Sequence, residues 1–234
     1  MDNKRAVIFA NGDMTSCEQH IKTILPGDLI IAADGGALNC LRCGISPQVV
    51  IGDFDSLPAS MIDVFNQSST QIIHYPAQKN ETDLELAIQF AIKKDCNEII
   101  IFAALGGRWD MSLANLLLLS YPHRQKEPHP SISIKIIDGN QEAFFLNPGQ
   151  KSILTGQGGD LVSLVPLFQD VSHVTTTNLE YPLKAETLLF GSTRGISNVM
   201  IGDTATVAYR SGLLLCMITH HPSDGVVEKG EKHE

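Results

Sequence analysis

The residues able to do chemistry fall in five short groups. In Gly52-Asp53-Phe54-Asp55-Ser56 two carboxylates flank a single residue. An extended backbone would point both to one side, making a platform of hard oxygen ligands for magnesium. The same string also fits a turn with a helix N-cap before Pro58. In Lys79-Asn80-Glu81-Thr82-Asp83, Thr82 or Asp83 can cap the apolar helix that follows; alternatively Asp83 adds a metal ligand while Gln78 or Lys79 approaches phosphate. In Gly106-Gly107-Arg108-Trp109-Asp110, Arg108 can grip phosphate oxygens bidentately, and Asp110 can ligate metal or cap a helix. Asn115, five residues on, can face the same place, whereas Trp109 carries no assignment. The last two groups are Asn11-Gly12-Asp13 and Asp34-Gly35-Gly36, where glycine lets backbone approach a ligand and the following amides favour an anion.

Four of these groups sit where a strand should end, and Lys79–Asp83 precedes a long apolar helix. Short runs rich in Ile, Val and Ala predict strands over Arg5–Ala10, Asp28–Ala33, Gln48–Gly52, Gln71–Tyr75 and Glu98–Ala103. Helical stretches lie between and after them near Thr15–Leu25, Ala37–Cys43, Pro58–Asn66, Asp83–Lys94 and Asp110–Ser120. Such alternation implies an α/β fold with a mainly parallel sheet and helices on both faces. In that arrangement all the strand ends share one edge, so residues far apart in sequence converge on one crevice.

The pattern changes beyond the polar, Pro-rich stretch Pro122–Pro130. Short strand-like runs follow at Ser131–Ile137, Ala143–Leu146, Asp160–Pro166, Thr204–Tyr209 and Leu213–Thr219, separated by Gly and Pro turns. This predicts a catalytic α/β domain over 1–139 and a smaller C-terminal β-sandwich domain over 140–234, with the polar tail SDGVVEKGEKHE frayed.

The 234 residues suffice for one large domain or two small ones, and a mean hydropathy of +0.04 is ordinary for a soluble chain. The net charge of −9 argues against nucleic acid or an anionic membrane as partner, yet a local metal site can still hold a polyanion. No run is long enough for a secretory core or a membrane span. Five irregularly spaced cysteines read as reduced thiols of a cytoplasmic protein, with Cys40 and Cys43 packed on a helix. His220 and His221 read as a solvated strand end, since no third ligand is evident. A Walker A lysine loop and a G-x-S-x-G elbow are both missing, which speaks against a P-loop ATPase and an α/β-hydrolase.

Taken in order, these stretches resemble the thiamine pyrophosphokinase family. The matching segments are ADGGALN (Ala33–Asn39), IGDFDS (Ile51–Ser56), NETDLELAI (Asn80–Ile88) and LGGRWDMSLANL (Leu105–Leu116). Further on, LEYPL (Leu179–Leu183), GISN (Gly195–Asn198) and SGLLL (Ser211–Leu215) also match. The resemblance implies an ATP-binding α/β domain and a β-sandwich, paired as a homodimer with the active site between subunits. It implies that Asp53, Asp55, Asp83 and Asp110 are the magnesium and catalytic carboxylates, with Gln78, Thr82 and Arg108 contacting phosphate. Asn11, Gly12, Asp34, Gly35, Gly36, Ser56, Lys79, Gly106 and Gly107 complete the expected ATP site. Ser197 and Asn198 resemble the thiamine-contacting pair. Two positions depart: Met111 stands where many members have His, and Leu215, which by the resemblance is a thiamine-contacting position, stands where animal and fungal members often have a stacking Trp.

The implied reaction is attack by the thiamine hydroxyl on the β-phosphorus of ATP, with release of AMP. Two rivals use the same residues: a haloacid-dehalogenase-like phosphatase with Asp53 as nucleophile, and a non-catalytic nucleotide or thiamine sensor.

Overall fold

The computed structural model describes residues 4–14, 17–55, 57–124 and 132–221. Ser56, the expected helix start at Thr15, most of the Pro-rich loop, the strand start at Ser131 and the polar tail lie outside the described residues.

The first half is built from β1 (Arg5–Phe9), α1 (Cys17–Thr23), β2 (Leu29–Ala33), α2 (Gly36–Arg42), β3 (Val49–Gly52) and α3 (Ala59–Gln67). It continues through β4 (Gln71–His74), α4 (Asp83–Lys93), β5 (Glu98–Phe102), α5 (Trp109–Leu118), α6 (Tyr121–Arg124) and β6 (Ser133–Asp138). These strands pair in parallel in the order β4-β3-β2-β1-β5-β6. The reason is legible in β1, whose residues 6 to 9 are all buried. Ala6 and Ile8 point into one core with Leu84, Ala87, Ile88 and Ala91 of α4, while Val7 and Phe9 point into the opposite core with Ala37 and Cys40 of α2. A strand covered on both faces has no polar side to alternate with, so it reads as an unbroken apolar run. Each large aliphatic side chain buried this way contributes roughly 1.5–3 kcal/mol.

The second half is all strand: β7 (Gln141–Leu146), β8 (Lys151–Thr155), β9 (Leu161–Thr177), β10 (Glu186–Leu188), β11 (Asn198–Val199), β12 (Thr204–Ala208) and β13 (Ser211–Thr219). Pairing changes to antiparallel between β6 and β7, and every later strand pair is antiparallel. The sheet therefore has a parallel N-terminal part carrying helices and an antiparallel C-terminal part. Strand β9 runs longer than its apolar start suggests, because it pairs first with β11 and β13, then past a register shift with β10, and finally with β12. β13 separates two cores by its period of two. Leu214, Cys216 and Ile218 enter the C-terminal core with Val162, Leu164 and Val207, while Leu215 enters the core of the parallel sheet.

The cysteines differ from expectation. Cys17, first residue of α1, is bonded to Cys43 at the end of α2, their Cα atoms 5.2 Å apart. Only Cys40 of the C-x-x-C pair is the packed thiol expected, and it is buried together with free Cys96 and Cys216. Sequence spacing could not reveal this pairing, since it depends on how α1 and α2 lie on one sheet face.

Candidate active site

The carboxyl ends of the parallel strands open into a cleft of about 440 Å³. Its walls come from the segments after β1 (Asn11, Gly12, Asp13), β2 (Asp34), β3 (Asp53, Asp55), β4 (Lys79, Glu81, Thr82, Asp83) and β5 (Gly106, Gly107, Arg108). The sheet runs one way from β1 to β4 and the other way from β1 to β5, so the chain leaves neighbouring strands in opposite directions and a crevice forms there. The β1–β5 pairing continues past the strands: Ala10 N–H donates to Phe102 O (2.9 Å), Gly12 N–H to Ala103 O (2.7 Å) and Asp13 N–H to Leu105 O (2.8 Å). These bonds hold both glycine-containing loops against one another.

Three of the strand-end residues are left-handed without being glycine: Asp34 (φ 44°), Phe54 (φ 63°) and Ala103 (φ 52°). Such backbone costs on the order of 1–3 kcal/mol and is characteristic of functional loops. At Phe54 it changes the geometry expected of the two aspartates. The segment is a turn, not an extended strand, with the Phe54 ring tucked into the core on the α2 side. Asp55 lines the cleft at an exposed position, while Asp53 is half-buried beside Asp34 and Asp83.

Carboxylate oxygens of Asp34, Asp53 and Asp83 lie within 4.8 Å of one another. Asp34 is only 7% exposed, and its Oδ1 is buried without a hydrogen-bond donor. Asp53 accepts from the Asp55 N–H (3.3 Å) and from the Lys79 ammonium (3.3 Å). Lys79 Nζ also lies 3.1 Å from Asp83 Oδ1, but off the direction of a hydrogen bond, so that oxygen too has no directed donor. Burial pushes the Asp83 carboxyl above its ordinary range; Lys79 opposes this, and the neighbouring negative charges of Asp34 and Asp53 add to it. Burial acts upward on Asp53 as well, but the Asp55 amide and Lys79 outweigh it and leave that carboxyl below its usual range. Lys79 is held above its usual value: desolvation lowers it, and its two aspartates more than compensate. Oxygen-only ligands with buried, donorless atoms fit a hard divalent cation such as magnesium.

The opposite wall is glycine backbone. Ser112 Oγ bonds both the N–H and the carbonyl of Gly106 (3.1 Å each), and Asn115 Nδ2 donates to Ala104 O at 2.6 Å, pinning the loop to α5. Arg108 is the N-cap residue of α5 and forks onto Asp110 with bonds of 3.2 and 2.6 Å. The guanidinium holds the Asp110 carboxyl below its usual range.

Several expected residues stand elsewhere. Asp110, expected as a metal ligand, has a side chain 67% exposed and paired to Arg108, so it stands outside the acid trio. Asp34, expected with the phosphate contacts, belongs to that trio. Gly35 and Gly36 lie behind the cleft wall; a Cβ on Gly36 would meet the Phe9 carbonyl oxygen at 2.0 Å, so that glycine serves close packing of α2 on β1. Gln78 is exposed and off the lining. Thr82 lines the cleft and caps α4, accepting from Glu85 N–H at 3.2 Å. Ser197 is exposed, and the Asn198 amide is committed to the Tyr181 backbone at 3.0 and 2.7 Å; neither lines this cleft. Leu215, expected to touch thiamine, is 3% exposed and packed in the core, which removes it from any ligand surface. His220 is more than a solvated terminus, for its Nδ1 lies 2.7 Å from Asp160 Oδ2. Sequence reasoning passed over Asp13, Glu81 and Ser112 as lining residues. The first two sit inside flagged motifs; Ser112 has no signal beyond following the Gly-Gly turn.

The fold and the site define an α/β protein whose acidic, cation-ready crevice lies at the carboxyl edge of a parallel sheet. Residues 21–129 match the family model described as thiamin pyrophosphokinase, catalytic domain, and residues 151–214 match the thiamin pyrophosphokinase vitamin B1 binding domain. The chain is 32% identical over 187 residues to a thiamine pyrophosphokinase of Bacillus subtilis, covering 80% of this chain and 85% of that relative. A crystal structure of the thiamine pyrophosphokinase from Bacillus subtilis superposes with a TM-score of 0.82 at 27% identity, over 94% of this chain and 100% of the other. One from Geobacillus thermodenitrificans gives 0.78 at 26% identity, over 94% and 99%. The chain belongs to the thiamine pyrophosphokinase family.

Proposed function

We propose that this chain transfers the pyrophosphate group of ATP to the hydroxyl of thiamine, giving thiamine diphosphate and AMP. The observation that carries the reading is the meeting of Asp34, Asp53 and Asp83 in one glycine-walled crevice. Family membership favours it over an aspartyl phosphatase or a sensor.

Asp34, Asp53 and Asp83 would hold magnesium, with Asp55 on the cleft lining at the rim and Asp110 beyond it, paired to Arg108. When bound, that ion neutralises charge on the β- and γ-phosphates. Gly12 and Gly106 let the two loops pack against each other, and Gly107, whose Cβ position is open, leaves room for the polyphosphate along the wall. Arg108, exchanging Asp110 for the transferred group, stabilises negative charge developing there. In-line attack by the hydroxyl forms the new oxygen–phosphorus bond at the β-phosphorus and breaks the bond to the AMP oxygen, while a carboxylate of the cleft takes the hydroxyl proton.

We assign residues 1–139 to ATP and metal binding and 140–234 to thiamine binding and dimerisation; the change of pairing between β6 and β7 supports that division. Because Ser197 and Asn198 lie off this cleft, a homodimer that brings them from a second copy accounts for both. We propose the cytoplasm as its compartment, a placement that the Cys17–Cys43 bond does not support, since such bonds are rare among reducing thiols. Among the described residues no helix is long and apolar enough to cross a membrane.

The test is purified protein with ATP, thiamine and magnesium, scored for AMP and thiamine diphosphate together. Equimolar formation of both supports the reading. AMP formed without thiamine, or a phospho-aspartate trapped at Asp53, would overturn it.

A further inference from the structure

Lys79 reaches into the acid trio from the loop before α4. Its ammonium is 3.3 Å from Asp53 Oδ2 and 3.1 Å from Asp83 Oδ1, with the side chain only 11% exposed. With Lys79 in place, one of the three negative charges that would hold a divalent ion is already neutralised. That ion needs the same carboxylate oxygens, at about 2.0–2.1 Å if it is magnesium. An ammonium in contact with those oxygens both blocks and repels it.

Lysine differs from arginine in carrying a compact charge on a flexible four-carbon stem, so its charge can move while its backbone stays. A new place for it exists, because Lys79 lines the same cleft as Gly106, Gly107 and Arg108, where an anionic ligand would lie. We infer that Lys79 is a resident cation that fills the acid trio until a divalent ion enters, and then swings onto the anionic ligand that arrives with it. A bare metal ion must displace Lys79 from Asp53 and Asp83, leaving it only the carboxylates of Asp13, Asp55 and Glu81 elsewhere on the lining. A metal ion arriving with a polyphosphate supplies the displaced ammonium with a partner. Metal and nucleotide therefore bind with positive coupling, and Lys79 carries it. The second half of this inference rests on the proposed ATP site; the first half, competition for the carboxylates, does not.

The test is titration of the purified protein with Mn²⁺, followed by the electron paramagnetic resonance signal of the free ion. Each titration is run alone and with α,β-methylene-ATP. Lys79→Met should bind Mn²⁺ alone about tenfold more tightly than the unaltered chain, the direction expected on removing a like charge. The strengthening of Mn²⁺ binding by the nucleotide analogue should shrink in the same variant. Lys79→Arg, which keeps the charge, should bind Mn²⁺ alone as weakly as the unaltered chain, and Lys79→Gln serves if Lys79→Met fails to fold. Equal or weaker Mn²⁺ binding in folded Lys79→Met or Lys79→Gln would overturn the inference. Thiamine is absent from the titration, so a chain inactive toward thiamine yet showing this tightening loses only its proposed reaction. An active chain without the tightening loses only the role given to Lys79.

Discussion

Gly52 faces Asp34 so closely that a Cβ on the glycine would stand 2.9 Å from the Asp34 Cβ. Gly52 closes β3 and Asp34 follows β2, and the two strands pair in parallel. The absent side chain is what lets Asp34 turn into the acid trio. Gly52→Ala should push Asp34 off its partners and weaken metal-dependent turnover, on the order of 10²-fold, the scale for losing one preorganised electrostatic group. Asp34→Asn should match that loss without unfolding, since Asn tolerates the left-handed backbone at φ 44° and relieves like-charge repulsion. Steady-state turnover with circular dichroism checks both. Full activity in Asp34→Asn would remove Asp34 from the site.

Leu215 separates two readings of one residue. If it is core, Leu215→Ala costs about 2–5 kcal/mol, and Tm falls by roughly 2–4 °C per kcal/mol in a chain of this size. The KM for thiamine should then stay unchanged. An unchanged Tm with a raised KM would return Leu215 to the ligand.

Asp160 is fully buried and accepts from His221 N–H (2.9 Å) and Gln157 N–H (3.0 Å), beside His220 Nδ1 at 2.7 Å. Burial pushes its carboxyl upward, but these partners outweigh it and leave it below its usual range. Its stabilisation is therefore present above the unfolded value of about 3.9 and lost as pH falls from there through the lower folded value. Asp160→Asn should be less stable near neutral pH by about 1–3 kcal/mol, and the gap should close as pH falls below about 4. Urea melts across pH decide this; a gap that widens in acid contradicts it.

The Cys17–Cys43 bond closes a loop with a separation of 26 residues. Loop-closure entropy puts its contribution at about 3.5 kcal/mol. Dithiothreitol should lower Tm in the unaltered chain and leave Cys17→Ser unmoved. A Tm indifferent to dithiothreitol would show that the bond adds no stability.

Much of this was legible in the residues. The strands β1, β2, β3 and β5 and the helix α4 follow from apolar runs and their period, because these strands are buried on both faces, whereas β4 at the sheet edge is only half-buried. From that alternation alone, Asp34, Asp53 and Asp83 belonged on one edge. The segments flanking them also carried the likeness to a family. Pattern, being local, could say nothing firm about direction within a turn.

Most of those directions came from contacts between distant segments, the Arg108–Asp110 fork being a local exception. Phe54 turns left-handed because its ring is drawn into the core, and so Asp53 parts from Asp55. Asp110 looks outward to Arg108, and Leu215 looks inward because β13 is shared between two cores. Lys79 bridging Asp53 and Asp83, and Cys17 meeting Cys43, depend likewise on loops and helices laid side by side. A sequence states which chemical groups a chain owns and the period of its elements; which groups touch is decided only when packing sets where each loop turns.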